Sequence, residues 1–362
     1  MRAGHVVLRR LEAQRISSTA FTRADEAVAW LGAVQAQDYL GALWAVGLRL
    51  VDATERDVER ALAERRIVRT WPMRGTLHFV AAADARWMTE LLAARPVATA
   101  ASRLRSYGID AAVLSRARRV LDRHLEGGRR LTRPAAYRVL EKAGIAAAGQ
   151  RGLHVLWRLA QDCFVCFGPR DGKQQTFVLF DEWLPKAKAL PREEALAALA
   201  CRYFVSHGPA TLRDFAWWSG LTLSDARGAI LLAGDRIREE LLDGTTYWSA
   251  SDDSGRTEAP RGTHLLPAFD ELLVGYTDRS ASIDGPTSRR VRGGGIADPV
   301  VVRDGRVVAT WGRRAGRREV ACSVTPLVRL DGAAAKGLTR ALKRYARFLG
   351  LDLVTRGVIP SV

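Results

Sequence analysis

The chain has 362 residues, 48% of them apolar and 26% charged, which is enough to bury the cores of two or three domains. A formal net charge of +17, from 56 basic against 39 acidic residues, calls for a polyanionic partner, and nucleic acid is the commonest. The opening MRAGHVVLRRLEAQR lacks the apolar stretch of a secretory signal, and no run approaches the roughly 18 apolar residues of a membrane span. We therefore expect a soluble, cytoplasmic protein with no membrane partner.

In chain order, ADEAVAWLGAV predicts a helix over 24–34, a second follows at 53–65, and IVRTWPMRGTLHFV supplies a strand pair. The same theme returns at 131–180, with helices at 133–143 and 150–161 and a turn at 169–172. It is clearest at 203–251. There Thr211 caps a helix carrying Phe215 and Trp218, and Gly220 ends it. Thr222 or Ser224 starts a second helix, and Asp243-Gly244 turns a hairpin. Paired helices followed by a hairpin are the winged-helix pattern. From Gly262 short β-runs dominate, Asp304-Gly305 turns another hairpin, and an amphipathic helix at 333–349 carries Leu338, Leu342, Tyr345 and Leu349 on one face. The expected fold is α+β, with three tandem winged-helix units and a C-terminal β-rich region bearing a terminal helix. The expected domains are 1–125, 126–185, 186–258 and 259–362.

Among the cysteines, only Cys163 and Cys166 form a CxxC, and no second pair follows to complete a zinc site. Alternation of Cys163, Val165 and Phe167 reads as one face of a strand. We expect no metal and no cofactor. Ser-His-Asp chemistry lacks its Gly-x-Ser-x-Gly turn. RGGGIADP (292–299) lacks the ending of a phosphate loop. The first lysine, Lys142, stands more than a hundred residues after the glutamine-bearing stretch at 33–39, which argues against a Schiff-base lyase.

That stretch is AVQAQDY (33–39), which sets two amides among small apolar residues. In a helix Gln35 and Gln37 would diverge by about 200°. If the helix breaks near Gln35 and the chain extends, both project to one side. Glutamine is neutral and cannot be a Brønsted base, but it can accept from and donate to a water. Such help suits a reaction whose leaving group is already activated and whose transition state is cationic at carbon. Loss of an alkylated, positively charged purine from its sugar is such a reaction.

VQAQD resembles the Gln-apolar-Gln motif of the AlkZ-like DNA glycosylases, the azinomycin-resistance type of winged-helix enzyme. MRGTLHFV (73–80), GPATLRDFAWWSGL (208–221), LLPAFDELLVGYTDR (265–279) and DPVVVRDGRVVATW (298–311) extend the resemblance over nearly the whole chain. It implies a C-shaped basic channel with Gln35 and Gln37 catalytic at its middle. It further implies monofunctional excision of N7-alkylated purines from double-stranded DNA and, in some members, unhooking of interstrand crosslinks made by genotoxic natural products. Some relatives carry Asp at the second glutamine's place; here Gln37 holds it, with Asp38 beside it.

Asp38 and His78 are candidates for catalytic support, although alternation turns Asp38 away from Gln35 and a histidine in a β-run is commonly a packed one. Asp270 and Glu271 could act as a base, or pair with Arg279 or Arg74. Arg69, Arg74, Arg289, Arg290 and Arg292 are candidate DNA contacts, the last three within a turn-rich segment (279–298) that reads as a loop or a basic hairpin. Basic helix faces (Arg116, Arg118, Arg119; Lys343, Arg344, Arg347) would add phosphate contacts. A non-catalytic transcriptional regulator, which would dimerise on paired half-sites, is the competing reading, with an architectural DNA-bending protein behind it. No obligate protein partner is expected.

Overall fold

The computed structural model describes residues 3–253, 255 and 261–354. The expected boundary at 258 and the two chain ends beyond 3 and 354 lie outside them. No helix among the described residues is long and apolar enough to cross a membrane.

Helix Ala24–Leu31 stops three residues before its expected end, because Gly32 takes a left-handed conformation (φ 77°) open to glycine. The chain then extends into a two-residue strand, β1 (Val34–Gln35). A helix absent from the sequence reading, Tyr39–Gly47, follows. It is almost wholly buried, so it shows no polar face to reveal its period. Helix Glu55–Ala63 is anchored by the Asp57 carboxylate, which accepts from Thr54 N at 2.8 Å. The hairpin β2 (Ile67–Met73) and β3 (Thr76–Ala81) closes the first stretch.

Three helices (Ala85–Leu92, Ala94–Ser106, Ala111–Leu125) lead to β4 (Leu131–Thr132), the helices Arg133–Lys142 and Gly149–Gln161, and the hairpin β5 (Val165–Asp171) and β6 (Gln174–Leu179). The two hairpins join edge to edge in one sheet of order β1-β3-β2-β5-β6-β4, with Arg69 opposite Phe167. Pairing covers strand edges that would otherwise offer free N–H and C=O groups, and it carries the sheet across position 125. Cys163 precedes β5 in a left-handed conformation (φ 52°), so it does not share the strand face expected of it. Cys163, Cys166 and Cys322 are buried free thiols, Cys201 is half-buried, and no described group of His, Cys, Asp or Glu is placed to hold a metal.

After helix Arg192–His207, helix Leu212–Ser219 starts at Thr211, whose hydroxyl accepts from Asp214 N at 3.1 Å while Asp214 accepts from Thr211 N at 3.0 Å. Helix Leu223–Ala233 leads to β7 (Ile237–Leu242) and β8 (Thr245–Ala250), joined through left-handed Asp243 and Gly244. The remainder forms a five-stranded sheet of order β13-β12-β11-β10-β9, built from β9 (Thr263–Leu266), β10 (Val300–Arg303), β11 (Arg306–Ala315), β12 (Glu319–Pro326) and β13 (Asp352–Val354), with helix Gly332–Leu349 packed on it. Segment 279–298 holds a single helical turn (Gly285–Ser288) and a glycine-rich turn, so it is a loop and not a hairpin.

One apolar cluster runs from Val28, Leu31 and Trp44 through Leu265 and Val301 to Leu338 and Tyr345. It holds the start of the chain against its last sheet, and the Trp44 indole donates to Leu265 O at 2.8 Å.

Candidate active site

The site is organised by the turn between β2 and β3. Arg74 and Gly75 both take left-handed conformations (φ 54° and 72°), which a two-residue hairpin turn requires. The turn folds the Arg74 guanidinium back onto β1, where Nη2 donates to Gln35 Oε1 at 3.0 Å and lies 3.3 Å from His78 Nε2. Gln35 and His78 face each other in register. On the other side of Ala36, Gln37 Oε1 accepts from Leu77 N at 2.9 Å. Ala36 itself is clamped, with its N–H on Leu77 O at 2.7 Å and its carbonyl accepting Arg69 Nε at 3.2 Å and Nη2 at 2.7 Å.

Arginine and backbone N–H groups can only donate. Both amide oxygens must therefore face their donors, and both NH₂ groups are left for something else. The two glutamines thus converge on one hairpin, in line with the extended spacing. They differ in access: Gln37 is exposed, whereas Gln35 is 7% exposed and sits behind Arg74.

Gln37, Arg69 and Arg74 open onto a cleft of about 1130 Å³. Arg95, Arg103, Arg133 and Lys173 add positive charge to its walls, Trp71, Trp157 and Trp217 add aromatic surface, and no Asp or Glu lines it. The sequence reading missed these residues. Helical spacing was the available signal for two of them, since Arg95, Thr99 and Arg103 repeat every four residues along Ala94–Ser106. Of the adjacent tryptophans, Trp218 is fully buried, and Trp217 turns 45% of its surface outward.

Other candidates have different roles. His78 is fully buried, and its Nδ1 lies 3.0 Å from Thr76 O. The Nδ1–H tautomer donates there and leaves Nε2 to accept from Arg74. Burial, then the Arg74 charge, pushes its pKa from the ordinary 6.5 down to about 3, so the ring stays neutral and fixes Arg74. The unfolded chain binds this proton first, so His78's stabilisation is complete above pH 6.5 and falls by about 1.4 kcal/mol per unit below it. Urea unfolding at pH 7 and pH 5 should show a loss of about 2 kcal/mol from this group, and His78→Gln should remove that share.

Asp38 lies 3.9 Å from Arg313 and packs on Gly41, outside the cleft lining. Burial lowers the Arg69 pKa to about 10, and its bonds to Ala36 make it a brace as well as a cleft residue. Arg290 donates to Leu327 O, and Arg292 pairs with Asp298 at 2.6 Å. These two and exposed Arg289 do not line the cleft. Arg344 is half-buried and donates to Leu48 O and Leu50 O, and Arg118 lies over Phe164. Another set of exposed arginines (Arg314, Arg317, Arg318) lies at the end of β11 and in the turn to β12.

The acidic pair takes neither expected partner. Both Asp270 oxygens accept from Arg49, at 3.0 and 3.1 Å. Glu271 is fully buried, with Oε1 on Gln35 N at 3.1 Å and Oε2 on the Trp218 indole N–H at 2.9 Å.

A family model described as DNA glycosylase AlkZ-like matches residues 28–348. The chain belongs to the AlkZ-like DNA glycosylase family. It is therefore an enzyme of the DNA glycosylase class, which sets aside the non-catalytic regulator. An interstrand DNA cross-link repair glycosylase from Streptomyces sahachiroi is 28% identical over 326 residues, covering 83% of this chain and 85% of its own. The solved structure of the Streptomyces sahachiroi DNA glycosylase AlkZ superposes with a TM-score of 0.77 at 26% identity, over 97% of this chain and 99% of that one.

Proposed function

We propose that this AlkZ-like glycosylase hydrolyses the N-glycosidic bond of cationic N7-alkylpurines in double-stranded DNA, with bulky adducts and interstrand crosslinks among its substrates. The observation that carries the reading is the acid-free, arginine-lined cleft with Gln37 in its wall and Gln35 directly behind. In this reading the tandem winged-helix units border a basic channel that holds the duplex by its phosphates. As the C1′–N bond breaks, its electron pair passes to the purinium ring and cancels the alkylation charge, so no acid is needed. Water then adds its oxygen to C1′ and releases a proton to solvent. The glutamines hold that water and steady the sugar cation; neither metal nor cofactor takes part.

The likeness to the interstrand DNA cross-link repair glycosylase of Streptomyces sahachiroi supports crosslinks as substrates. So does cleft volume, since about 1130 Å³ matches the upper end of drug-sized pockets, roughly 1,000 Å³, and exceeds what a lone base fills.

The test is a duplex carrying one N7-methylguanine, and a second carrying an N7 crosslink, each followed by alkali to cut abasic sites. Strand cleavage of the first and unhooking of the second are expected; an intact N7-methylguanine duplex would overturn the proposal. Exposed Arg103 and Arg133 should each account for about one unit of the slope of log affinity against log salt. Titrations of Arg103→Gln and Arg133→Gln at several salt concentrations check this.

A further inference from the structure

A full negative charge near the reacting sugar would assist its cationic transition state, yet the cleft lining contains no acid and both motif residues are neutral. Arg74 makes the deficit worse by placing a guanidinium 3.0 Å from Gln35 Oε1. One carboxylate lies directly behind the motif. Glu271 follows Asp270, the N-cap of the short helix Glu271–Val274, and is sealed from solvent. Its partners are Gln35 N at 3.1 Å, the Trp218 indole at 2.9 Å and His207 Nε2 at 3.4 Å. No arginine is among them, and Asp270 has taken Arg49 for itself.

We propose that Glu271 is the positioning residue of the site, fixing the Gln35 backbone and supplying from behind it the negative charge that the glutamines lack. This rests on the glycosylase reading above and deepens it. The carboxylate does not reach the substrate. It holds β1 in register through Gln35 N–H and offsets Arg74 at the place where the sugar turns positive. A sealed position keeps the charge from being screened by salt and from repelling DNA phosphates at the surface. Glu271→Gln replaces the carboxylate by an amide of the same shape.

The experiment compares binding of two stable duplexes, one with a cationic pyrrolidine in place of the abasic sugar and one with a neutral tetrahydrofuran. The wild-type protein should prefer the cation. Glu271→Gln should lose about tenfold of that preference, the scale of a unit charge about 10 Å away at an effective dielectric near 20, with tetrahydrofuran binding and Tm little changed. Glu271→Asp should keep the preference while slowing turnover, and so should Trp218→Phe, which removes a donor and no charge. If the amide of Glu271→Gln meets the Trp218 N–H and the protein fails to fold, the double variant Glu271→Gln/Trp218→Phe relieves that clash and reads the same ratio. Retention of the full cation preference in either form overturns the inference. A wild-type protein that shows no preference overturns it too. The glycosylase reading fails separately, on an intact N7-methylguanine duplex.

Discussion

Gln37→Ala is expected to lower kcat for release of N7-methylguanine about 100-fold, the scale of losing one preorganised hydrogen-bonding group at a developing charge. Gln37 is exposed in the cleft wall, and its removal frees only Leu77 N, which water can reach. The unfolding free energy should therefore change by about 0.5 kcal/mol or less. Gln35→Ala should show a similar kinetic loss together with a stability loss of about 1–3 kcal/mol, because Arg74 Nη2 keeps only its longer contact to His78 Nε2 in a setting where Arg74 Nε already lacks an acceptor. Single-turnover kinetics and urea unfolding on the two variants separate these effects. Full activity in Gln37→Ala would remove the glutamines from the chemistry.

Arg49→Ala should be the most destabilising of the substitutions considered, at about 3–5 kcal/mol. The side chain is fully buried and makes five hydrogen bonds: Nε to Gln14 O, Nη1 to Ala45 O and Asp270 Oδ2, and Nη2 to Gln14 Oε1 and Asp270 Oδ1. Truncation leaves the Asp270 carboxylate sealed in the core with Leu272 N as its remaining donor. Replacing both partners by apolar residues of similar volume, as in Arg49→Met with Asp270→Leu, should recover most of the loss, since no lone charge then stays buried. A double-mutant cycle by urea denaturation measures the coupling. Because Asp270 precedes Glu271, Arg49→Ala should also slow catalysis beyond what its stability loss explains.

Much of this architecture was legible locally. Thr211 with Asp214, Gly220 and the Asp243-Gly244 turn mark their element ends because caps and turns are settled within a few residues. The alternation of Gln35 and Gln37 likewise announced an extended segment, and the motifs around it announced the family. The Tyr39–Gly47 helix did not announce itself, since LGALWAVG is apolar on every side and has no period to read.

What the residues determined alone was the list of parts: capped helices, hairpins, an excess of arginine and a pair of neutral amides at strand spacing. Tertiary structure decided which arginines line the cleft and which are spent on the fold. Arg49 lies sealed against Asp270, 221 positions away, Arg292 is spent on Asp298, Arg95 donates to Gly220 O and Leu221 O from the cleft wall, and Arg103 is exposed there. It also carried Glu271 to Gln35 across 236 positions. Side-chain chemistry is the same at every arginine, so burial and partner alone assign the role. Both are set by packing between distant segments, which no local spacing encodes.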